Sequence, residues 1–514
     1  MEQTELTNVK NIPDNVVNNS NGITENNEDK IKITIKERFH SVLNFFTVEP
    51  FLLCYILPSI IAALAIQKLN LEKACQADLN YTEVICHKVI TGDFEDNDTE
   101  IKTASGLAQV LVADMTAWRQ PLQSGLPAIV ILFVGAWSDR TGNRKALMLV
   151  PLIGEIISSI GMMLATYYFS EWSLLVTGLI EALPPALTGG WSIALMGSYS
   201  YIADVTTVDS RTFRIGVLAV IVTFGIPIGS AISGVLTQAV GYYGIFGIQI
   251  LFYVIGFIHT YFRIHDIRKT ESGKGCGILS FFDPKNVMGT LSLLVTKKSG
   301  KRLLHIWLVI WAHIVIIGPV FGEGALLYLY TLSKYSMDLI EFSLYSTYTV
   351  IMGLIGTMIA VTIFSKILKM HDSLLGMIAT VCKVASSIVY ALAPTKSWLY
   401  VGPVVDLFGN VGSTAIRSLG TKIVDADEVG KICSIIGLVE AIVPVVYTPL
   451  YTTVYTNTLH TLQGAFYLLG AAMTVPALFI FIYMYILHRR TRNDIVKNPN
   501  DKELYARDNE ITVL

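Results

Sequence analysis

The chain has 514 residues, of which 52% are hydrophobic and 15% are charged, with a formal net charge of −2. Soluble domains carry about 25% charged residues, so the low charge content excludes an ordinary soluble domain. Basic residues flank the apolar stretches and form no separate domain, which speaks against a nucleic-acid-binding protein. We find no nucleotide-binding loop, metal-ligand spacing or nucleophile motif, so neither an enzyme nor a bound cofactor is expected.

The first 45 residues are polar and contain the asparagine-rich run NVVNNSNGITENNEDK. This composition offers too little apolar surface to fold, and it predicts a disordered tail over 1–45. No apolar signal-peptide core precedes Phe45, so the first membrane span is expected to act as an uncleaved insertion signal.

Beyond the tail, apolar stretches of about 20 residues or more repeat along the chain, each long enough to cross about 30 Å of hydrocarbon. They predict an all-α polytopic membrane protein with about twelve transmembrane helices in two six-helix bundles, 46–263 and 303–488. Ten or eleven spans with some re-entrant segments are the alternative. The predicted spans are 46–67, 106–134, 145–168, 172–203, 212–238, 243–263, 303–333, 342–367, 373–393, 398–424, 431–456 and 462–488.

Lysines and arginines are concentrated in the segment 264–302, in IKITIKER before the first span and in HRRTR after the last span. With an even number of spans these basic segments lie on one side, and the positive-inside rule makes that side the cytoplasm. The N-terminal tail, the linker 264–302 and the C-terminal tail 489–514 are therefore expected to be cytoplasmic.

The loop 68–105 is extracellular in this topology, and its composition agrees. It contains the acidic run TGDFEDNDTE and glycosylation sequons at Asn80 and Asn97. Cys75 and Cys86 lie in the same loop, where an oxidising compartment would let them pair. Two free thiols and unused sequons are the alternative.

The charged stretch GAWSDRTGNRKA, Gly135 to Ala146, connects the second and third predicted spans. It resembles the major facilitator signature G-x-x-x-D-R-x-G-R-[RK]-[RK], and six spans, a long basic linker and six more spans is the layout of that fold. The resemblance implies a conformational gate whose arginines meet carboxylates and whose glycines allow a tight turn; an ordinary positive-inside loop is the alternative. The residues assigned to this gate are Gly135, Asp139, Arg140, Gly142, Arg144 and Lys145.

Longer stretches resemble solute carrier family 46, which includes the proton-coupled folate transporter. They are KACQADLNYTEVIC, GAWSDRTGNRKALMLVPLIGE, LTGGWSIALMGSYSYIADVTTVDSRTFRIG and IRSLGTKIVDADEVGKICSIIG. The resemblance implies proton-driven import of a small organic, usually anionic, solute, and Arg417 falls on an arginine of the folate carriers' tenth span. Their coupling glutamate and histidine are replaced by Ala219 and Val320, so the coupling apparatus of the folate branch is not carried over.

Ionisable residues inside predicted spans are candidate functional residues, because a charge is costly in hydrocarbon unless it faces a partner or a cavity. The guanidinium of Arg417 suits a carboxylate, and Asp406 would lie on nearly the same face of that helix, with a bend at the intervening GNVG as the alternative. A purely structural ion pair or hydrogen bond is the alternative for each residue. The substrate-binding candidates are Arg417, Asp406 and Glu323, and the proton-coupling candidates are Glu323, Glu440, Glu155 and Glu181.

The leading hypothesis is a proton-coupled symporter that moves an organic anion, folate-like or other, by alternating access. The proton is the expected coupling ion, and no other cofactor is expected. A pH-independent uniporter or exchanger and a non-transporting ligand sensor are the alternatives. A small-molecule substrate and the lipid bilayer are the expected partners, and a monomer at the plasma membrane or the lysosomal membrane is the expected form.

Overall fold

A computed structural model of the protein describes residues 47–92, 99–206, 208–266, 302–424 and 429–497. The N-terminal tail, most of the linker, Asn97 and the end of the C-terminal tail lie outside these residues. Every regular element in the described part is helical. In chain order the helices are α1 (Glu49–Lys73), α2 (Glu83–Thr91), α3 (Thr99–Thr141), α4 (Lys145–Tyr167), α5 (Leu174–Thr188), α6 (Gly190–Val205), α7 (Val208–Arg263), α8 (Arg302–Tyr335), α9 (Leu339–Ile359), α10 (Asp372–Leu392), α11 (Lys396–Leu399), α12 (Gly402–Val405), α13 (Val411–Ile423), α14 (Val429–Thr458) and α15 (Ala465–Lys497).

Within the described residues, nine helical segments are long and apolar enough to cross a membrane. The all-α membrane architecture predicted from the sequence is therefore confirmed. The number of twelve spans stays a prediction, because α3 and the segment α11–α13 are not among the nine and α7 is counted once. The middle of α3 contains Gln120, Gln123 and Ser124, which lower its hydropathy.

Two of the predicted spans lie in α7, which has 56 residues. A straight helix of that length would measure about 84 Å, nearly three times the hydrocarbon thickness of about 30 Å. Gly241 interrupts it with φ +66°, a conformation that costs glycine little. A second interruption separates α5 from α6, where Gly189 and Gly190 have φ +86° and +47°.

The predicted span 398–424 is broken. Its first part forms two one-turn helices, α11 and α12, and its second part forms α13, with an irregular segment between Asp406 and Asn410. The expectation that Asp406 and Arg417 share one face of a continuous helix is wrong, because no helix connects them. The carbonyl oxygen of Leu407, inside the irregular segment, packs directly against Gly356 of α9.

One end of the helix bundle, here named the disulfide end, carries the π-helical continuation of α1, Ala74–Asp78, together with α2. Cys75 and Cys86 form a disulfide there. The ammonium group of Lys73 donates to the carbonyl oxygens of Phe169 and Trp172, at 3.0 and 2.9 Å. This segment is thereby tied to the connection between α4 and α5. The opposite end, named the gate-loop end, carries the connection between α3 and α4.

The halves 47–266 and 302–497 are joined at the disulfide end. Between described residues, the hydrogen bonds that cross from one half to the other are made by Tyr455, whose hydroxyl donates to Gln109 at 2.9 Å, and by Ser343 with the backbone of α7. A core of buried side chains there includes Cys75 and Met115 from the first half and Tyr330 from the second.

The halves separate towards the gate-loop end. A Cβ atom added to Gly125 of α3 would lie 3.3 Å from Val445 of α14, so the two helices pack closely at this level. Two turns closer to the gate-loop end, a Cβ atom at Gly437 of α14 would have no neighbour within 4 Å. Among the described residues, the halves therefore pack closely at the disulfide end and are further apart at the level of Gly437.

We predict that Gly356→Ala destabilises the protein and that Gly437→Ala does not. Alanine in a helix gains about 0.5–1 kcal/mol over glycine, but at Gly356 the added methyl group would collide with the backbone of Leu407. Thermal unfolding of the purified protein in detergent measures both variants. Equal midpoints for the two variants would show that the break between α12 and α13 does not depend on this packing.

Candidate functional site

A cavity of about 1020 Å³ lies between the two halves. Most of its wall comes from the first half, where amide and hydroxyl side chains of α3, α4 and α6 face the space, among them Gln120, Gln123, Ser158 and Ser192. Phe321 of α8 and the middle of α14 close it on the second half. A cavity of this size with a mixed polar and apolar wall, at the junction of two helical bundles, is suited to a small organic molecule.

Three carboxyl groups lie in the cavity wall, those of Glu155, Glu181 and Glu440. All three were expected from the sequence as ionisable residues inside spans. The structure brings them to one cavity, from α4, α5 and α14 respectively, and gives each a different set of partners.

Glu181 forms an ion pair with Arg119 of α3, and both side chains are only 12% exposed. The amide of Asn70 donates to the second carboxylate oxygen at 3.3 Å, and the amide of Gln123 donates to the Glu181 carbonyl at 3.3 Å. Arg119 also lines a smaller cavity of about 240 Å³ beside α8. This pairing neutralises both charges inside the first half.

Glu155 has a different environment. The hydroxyl of Tyr55 donates to its carboxylate at 2.9 Å, and the ring of Tyr55 packs against that of Tyr253. Among the described ion pairs none involves Glu155. It is therefore a half-buried carboxyl group at the cavity wall whose described hydrogen-bond partner is a neutral hydroxyl group.

Glu440 binds two groups of the second half. Arg417 of α13 forms an ion pair with its carboxylate, and Nε2 of His313 on α8 lies 3.0 Å from Oε1. His313 is fully buried, whereas the Arg417 side chain is 48% exposed. The guanidinium group is thus exposed while it is held by Glu440, although Arg417 is not among the described residues that line the central cavity.

Glu323 and Asp406 form a separate cluster around Lys383 of α10. The ammonium nitrogen of Lys383 lies 2.8 Å from Oε2 of Glu323 and 3.6 Å from Oδ2 of Asp406. All three residues line a cavity of about 160 Å³ inside the second half. Of the three residues expected to bind substrate, the structure brings Glu323 and Asp406 together and places Arg417 in the other cluster.

Lys383 was not among the residues predicted from the sequence. A lysine in the middle of the predicted span 373–393 has the same energetic cost in hydrocarbon as the carboxyl groups that were selected, so it also qualified as a candidate functional residue. Its two partners, on α8 and at the end of α12, could not be read from the sequence.

In the gate stretch, Arg144 is the residue with the most contacts in the described part. Its Nε donates to Asp204 at the end of α6, and its guanidinium group donates to the Ser138 hydroxyl, each at 2.8 Å. Asp266, just after α7, accepts from the backbone nitrogens of Arg144 and Lys145 at 2.8 and 2.9 Å. Gly142 has φ +69°, which a tight turn requires.

These gate contacts all lie within the first half. The ammonium group of Lys145 also remains there, donating to the Tyr261 carbonyl at 2.5 Å. The side chains of Asp139 and Arg140 lie outside the described part, so their expected role stays a prediction. The described gate residues tie α3, α4, α6 and the end of α7 together.

A helical bundle in two halves with a cavity between them is the architecture of many secondary transporters. The Major Facilitator Superfamily model matches residues 113–448, which is more than half of the chain. The chain belongs to the Major Facilitator Superfamily. It is a multi-pass membrane transporter rather than an enzyme, as the sequence predicted.

Curated relatives confirm the resemblance to solute carrier family 46. The chain is 22% identical over 472 residues to the "Probable peptidoglycan muropeptide transporter SLC46" of Drosophila melanogaster, covering 89% of this chain and 88% of that protein. It is 23% identical to the "Lysosomal proton-coupled steroid conjugate and bile acid symporter SLC46A3" of Gallus gallus, covering 85% and 93%. The proton-coupled folate transporter of Rattus norvegicus is 23% identical, covering 68% and 73%.

Solved structures share the fold. The human organic anion transporter MFSD10 (TETRAN) has a TM-score of 0.56 at 15% identity, covering 85% of this chain and 98% of that chain. A D-xylose-proton symporter has a TM-score of 0.56 at 14% identity, covering 85% and 97%.

We predict that Arg119→Met and Glu181→Leu each destabilise the protein strongly, whereas the double variant loses less than the sum. Removing one partner of a buried ion pair leaves an uncompensated charge and costs about 3–5 kcal/mol, while replacing both partners by apolar groups is close to neutral. Thermal unfolding of the purified variants measures the coupling.

The exposed pair of Lys396 and Glu341, with side chains 43% and 47% exposed, is the matched control. Its double-mutant cycle should give at most about 1 kcal/mol. Equal coupling in the two cycles would contradict the assignment of Arg119 and Glu181 as a buried structural pair.

Proposed function

We propose that the protein is a proton-coupled symporter that carries a small organic anion through the cavity between its halves. The observation that carries this proposal is the wall of that cavity, which contains two different carboxyl groups: Glu155, whose described hydrogen-bond partner is a neutral hydroxyl group, and Glu440, which holds the exposed Arg417. The first can bind a proton, and the second can exchange its partner for a substrate.

Arg417 is the substrate-binding residue in this proposal. A substrate carboxylate or sulfate would take the place of Glu440 on the guanidinium group, whose planar fork binds such groups with two parallel hydrogen bonds. His313 would remain bonded to Glu440 and keep the displaced carboxylate in place. The exposure of Arg417 supports this exchange, because the guanidinium group need not be uncovered first.

Glu155 is the coupling residue in this proposal. A carboxyl group in the middle of an apolar helix, without a cationic partner, is more easily accommodated in its neutral form. Water or a charge that enters the cavity would stabilise the ionised form. The hydroxyl of Tyr55 can donate to the ionised carboxylate and accept from the protonated one, so both states keep a hydrogen bond. This proposed transport cycle requires one monomer in the bilayer and no second subunit.

The second candidate function is pH-independent exchange of organic anions. It is favoured by the two Arg–Glu pairs, since Arg119 with Glu181 and Arg417 with Glu440 are neutral without a bound proton. The presence of Ala219 and Val320 at the folate carriers' coupling positions agrees with it.

The test is uptake into cells or proteoliposomes at acidic and at neutral outside pH. The panel contains folate, an antifolate, a muropeptide, a bile acid and a steroid conjugate, because the relatives are named for such cargo. We expect faster uptake at acidic pH. Arg417→Ala should lower uptake about tenfold or more, since a hydrogen bond to a charged group contributes about 1.5–3 kcal/mol.

Glu155→Gln should remove the pH dependence and leave a pH-independent residual uptake, because glutamine mimics the protonated carboxyl group. Glu341→Gln, an exposed position, is the matched control and should behave as the wild type. Uptake indifferent to pH in the wild type would support exchange. Absence of uptake of every compound by correctly located protein would favour the ligand-sensor alternative.

We further propose that the disulfide end faces the cell exterior or the lysosomal lumen and that the gate-loop end faces the cytoplasm. The disulfide between Cys75 and Cys86 fits an oxidising compartment. Asn80, in the first sequon, is exposed and has φ +58°, so its side chain is accessible. Both termini are then cytoplasmic, and the plasma membrane or the lysosomal membrane is the location.

This topology predicts that Asn80→Gln reduces the mass that a glycosidase removes from the protein made in animal cells. Asn18→Gln, at a sequon in the N-terminal tail, should leave that mass unchanged, because glycans are added on the lumenal side only. Gel mobility before and after glycosidase treatment is the measurement. A glycan lost with Asn18→Gln and kept with Asn80→Gln would reverse the orientation.

A further inference from the structure

The cluster of Glu323, Lys383 and Asp406 combines two acidic groups with one basic group. It lies apart from the central cavity, in the smaller cavity inside the second half. The side chains are 8%, 14% and 21% exposed, respectively. If all three groups are ionised, the cluster carries a net charge of −1 in the interior of a membrane protein, where an uncompensated charge is costly.

One oxygen of each carboxyl group lacks a hydrogen-bond partner. Oε1 of Glu323 and Oδ1 of Asp406 are buried and make no hydrogen bond to described residues, while their other oxygens face Lys383. The hydroxyl of Tyr451 on α14 is also buried without a partner. A Cβ atom added to Gly470 would have Glu323 Oε1 and the Tyr451 hydroxyl as its two nearest neighbours, so these two atoms border the same small space.

The other groups that surround the cluster are neutral. Lys383 is the cation among the described residues that line this cavity. From α9, α10, α14 and α15 the cluster is faced by tyrosine hydroxyl groups, and Cys382 and Asn410 lie beside Asp406. The titratable groups around the cluster are Tyr345, Tyr390, Tyr451, Tyr467 and Cys382. A second compensating charge is therefore missing from the described surroundings.

We propose that the Glu323–Lys383–Asp406 cluster is a proton-binding site that holds one proton on its two carboxyl groups, separate from the carboxyl groups of the central cavity. With this proton the cluster is neutral. The ammonium group of Lys383 then pairs with whichever carboxylate is ionised, and it can move between Glu323 and Asp406 as the proton moves the other way.

Because Asp406 lies between α12 and α13, the bound proton affects the contact between Lys383 and the start of α13. Asp406 ends α12, and its carboxyl group lies against Gly409 in the irregular segment that precedes α13. Helix α13 begins at Val411 and carries Arg417. Ionisation of Asp406 thus draws Lys383 towards the start of α13, and protonation of Asp406 releases it. The bound proton is thereby linked to the helix that holds the substrate-binding arginine.

This inference deepens the proposed function and rests on it for the role of Arg417, but proton occupancy can be measured without cargo. The experiment is infrared spectroscopy of the full-length protein in lipid nanodiscs, which detects the carbonyl stretch of protonated carboxyl groups. All variants are made in the Glu155→Gln background, so that the cavity-wall carboxyl group does not contribute. Glu341→Gln is the control for an exposed carboxyl group.

Charge compensation predicts that either single carboxyl variant removes the bound proton. Glu323→Gln leaves Asp406 with Lys383, and Asp406→Asn leaves Glu323 with Lys383; each remaining pair is neutral without a proton. Both variants should therefore lose the whole band that the cluster contributes at neutral pH, whichever residue carries the proton in the parent. Lys383→Met should double the band, because neither carboxylate is then compensated.

A band lost in only one of the two carboxyl variants would show an ordinary buried acid and overturn the shared site. A band unchanged in both would overturn proton binding by the cluster. Glu323→Gln and Asp406→Asn preserve side-chain volume, so they keep the test valid if Lys383→Met does not fold. If the cluster binds a proton but uptake by the wild-type protein is independent of pH, the proposed symport is overturned and the proton site stands. The two proposals can therefore fail separately.

Discussion

The cost of placing charge in hydrocarbon is the constraint on which the rest of this structure depends. A charged side chain inside a membrane span must face a partner or a cavity, and three groups of described residues show such pairing. Arg119 pairs with Glu181, Glu440 binds both Arg417 and His313, and Lys383 lies between two carboxyl groups. Each group joins helices that are distant in sequence, so the need for pairing also holds each bundle together.

None of these three groups joins the two halves of the described chain. The pair of Arg119 and Glu181 lies within the first half, and the other two groups lie within the second. The halves are instead held at the disulfide end by apolar packing and by the hydrogen bonds of Tyr455 and Ser343. Such hydrogen bonds contribute only about 0.5–1.5 kcal/mol each. Among the described residues, no ion pair crosses from one half to the other.

Irregular backbone occurs where helices border internal cavities. Gly189 and Gly190 separate α5 from α6 in the wall of the central cavity, and Asp406 to Asn410 separate α12 from α13 beside the smaller cavity. Backbone groups that leave a helix inside a membrane need protein or water as partners, so such breaks are tolerated only at internal sites. Both breaks belong to segments that also supply ionisable groups, Glu181 to the first half and Arg417 to the second.

The sequence by itself determined the class of protein and most of the ionisable residues. Apolar stretches of membrane-spanning length, the two-part layout and the gate stretch with Gly142 and Arg144 are local patterns, and a local pattern can be read without knowing the fold. The same holds for Glu155, Glu181, Glu323 and Glu440, since a carboxyl group in an apolar helix is conspicuous. Lys383 is equally conspicuous in an apolar helix, but it was not among the predicted functional residues.

Only the tertiary structure decided which of these groups act together. Periodicity describes one helix at a time, whereas Lys383, Glu323 and Asp406 come from three segments that meet only in the folded bundle. The separation of Arg417 from Asp406 depends on the break between α12 and α13, which Leu407 and Gly356 accommodate by close backbone packing. Contacts between distant segments depend on the arrangement of whole helices, and that arrangement has no counterpart in the spacing of residues along the chain.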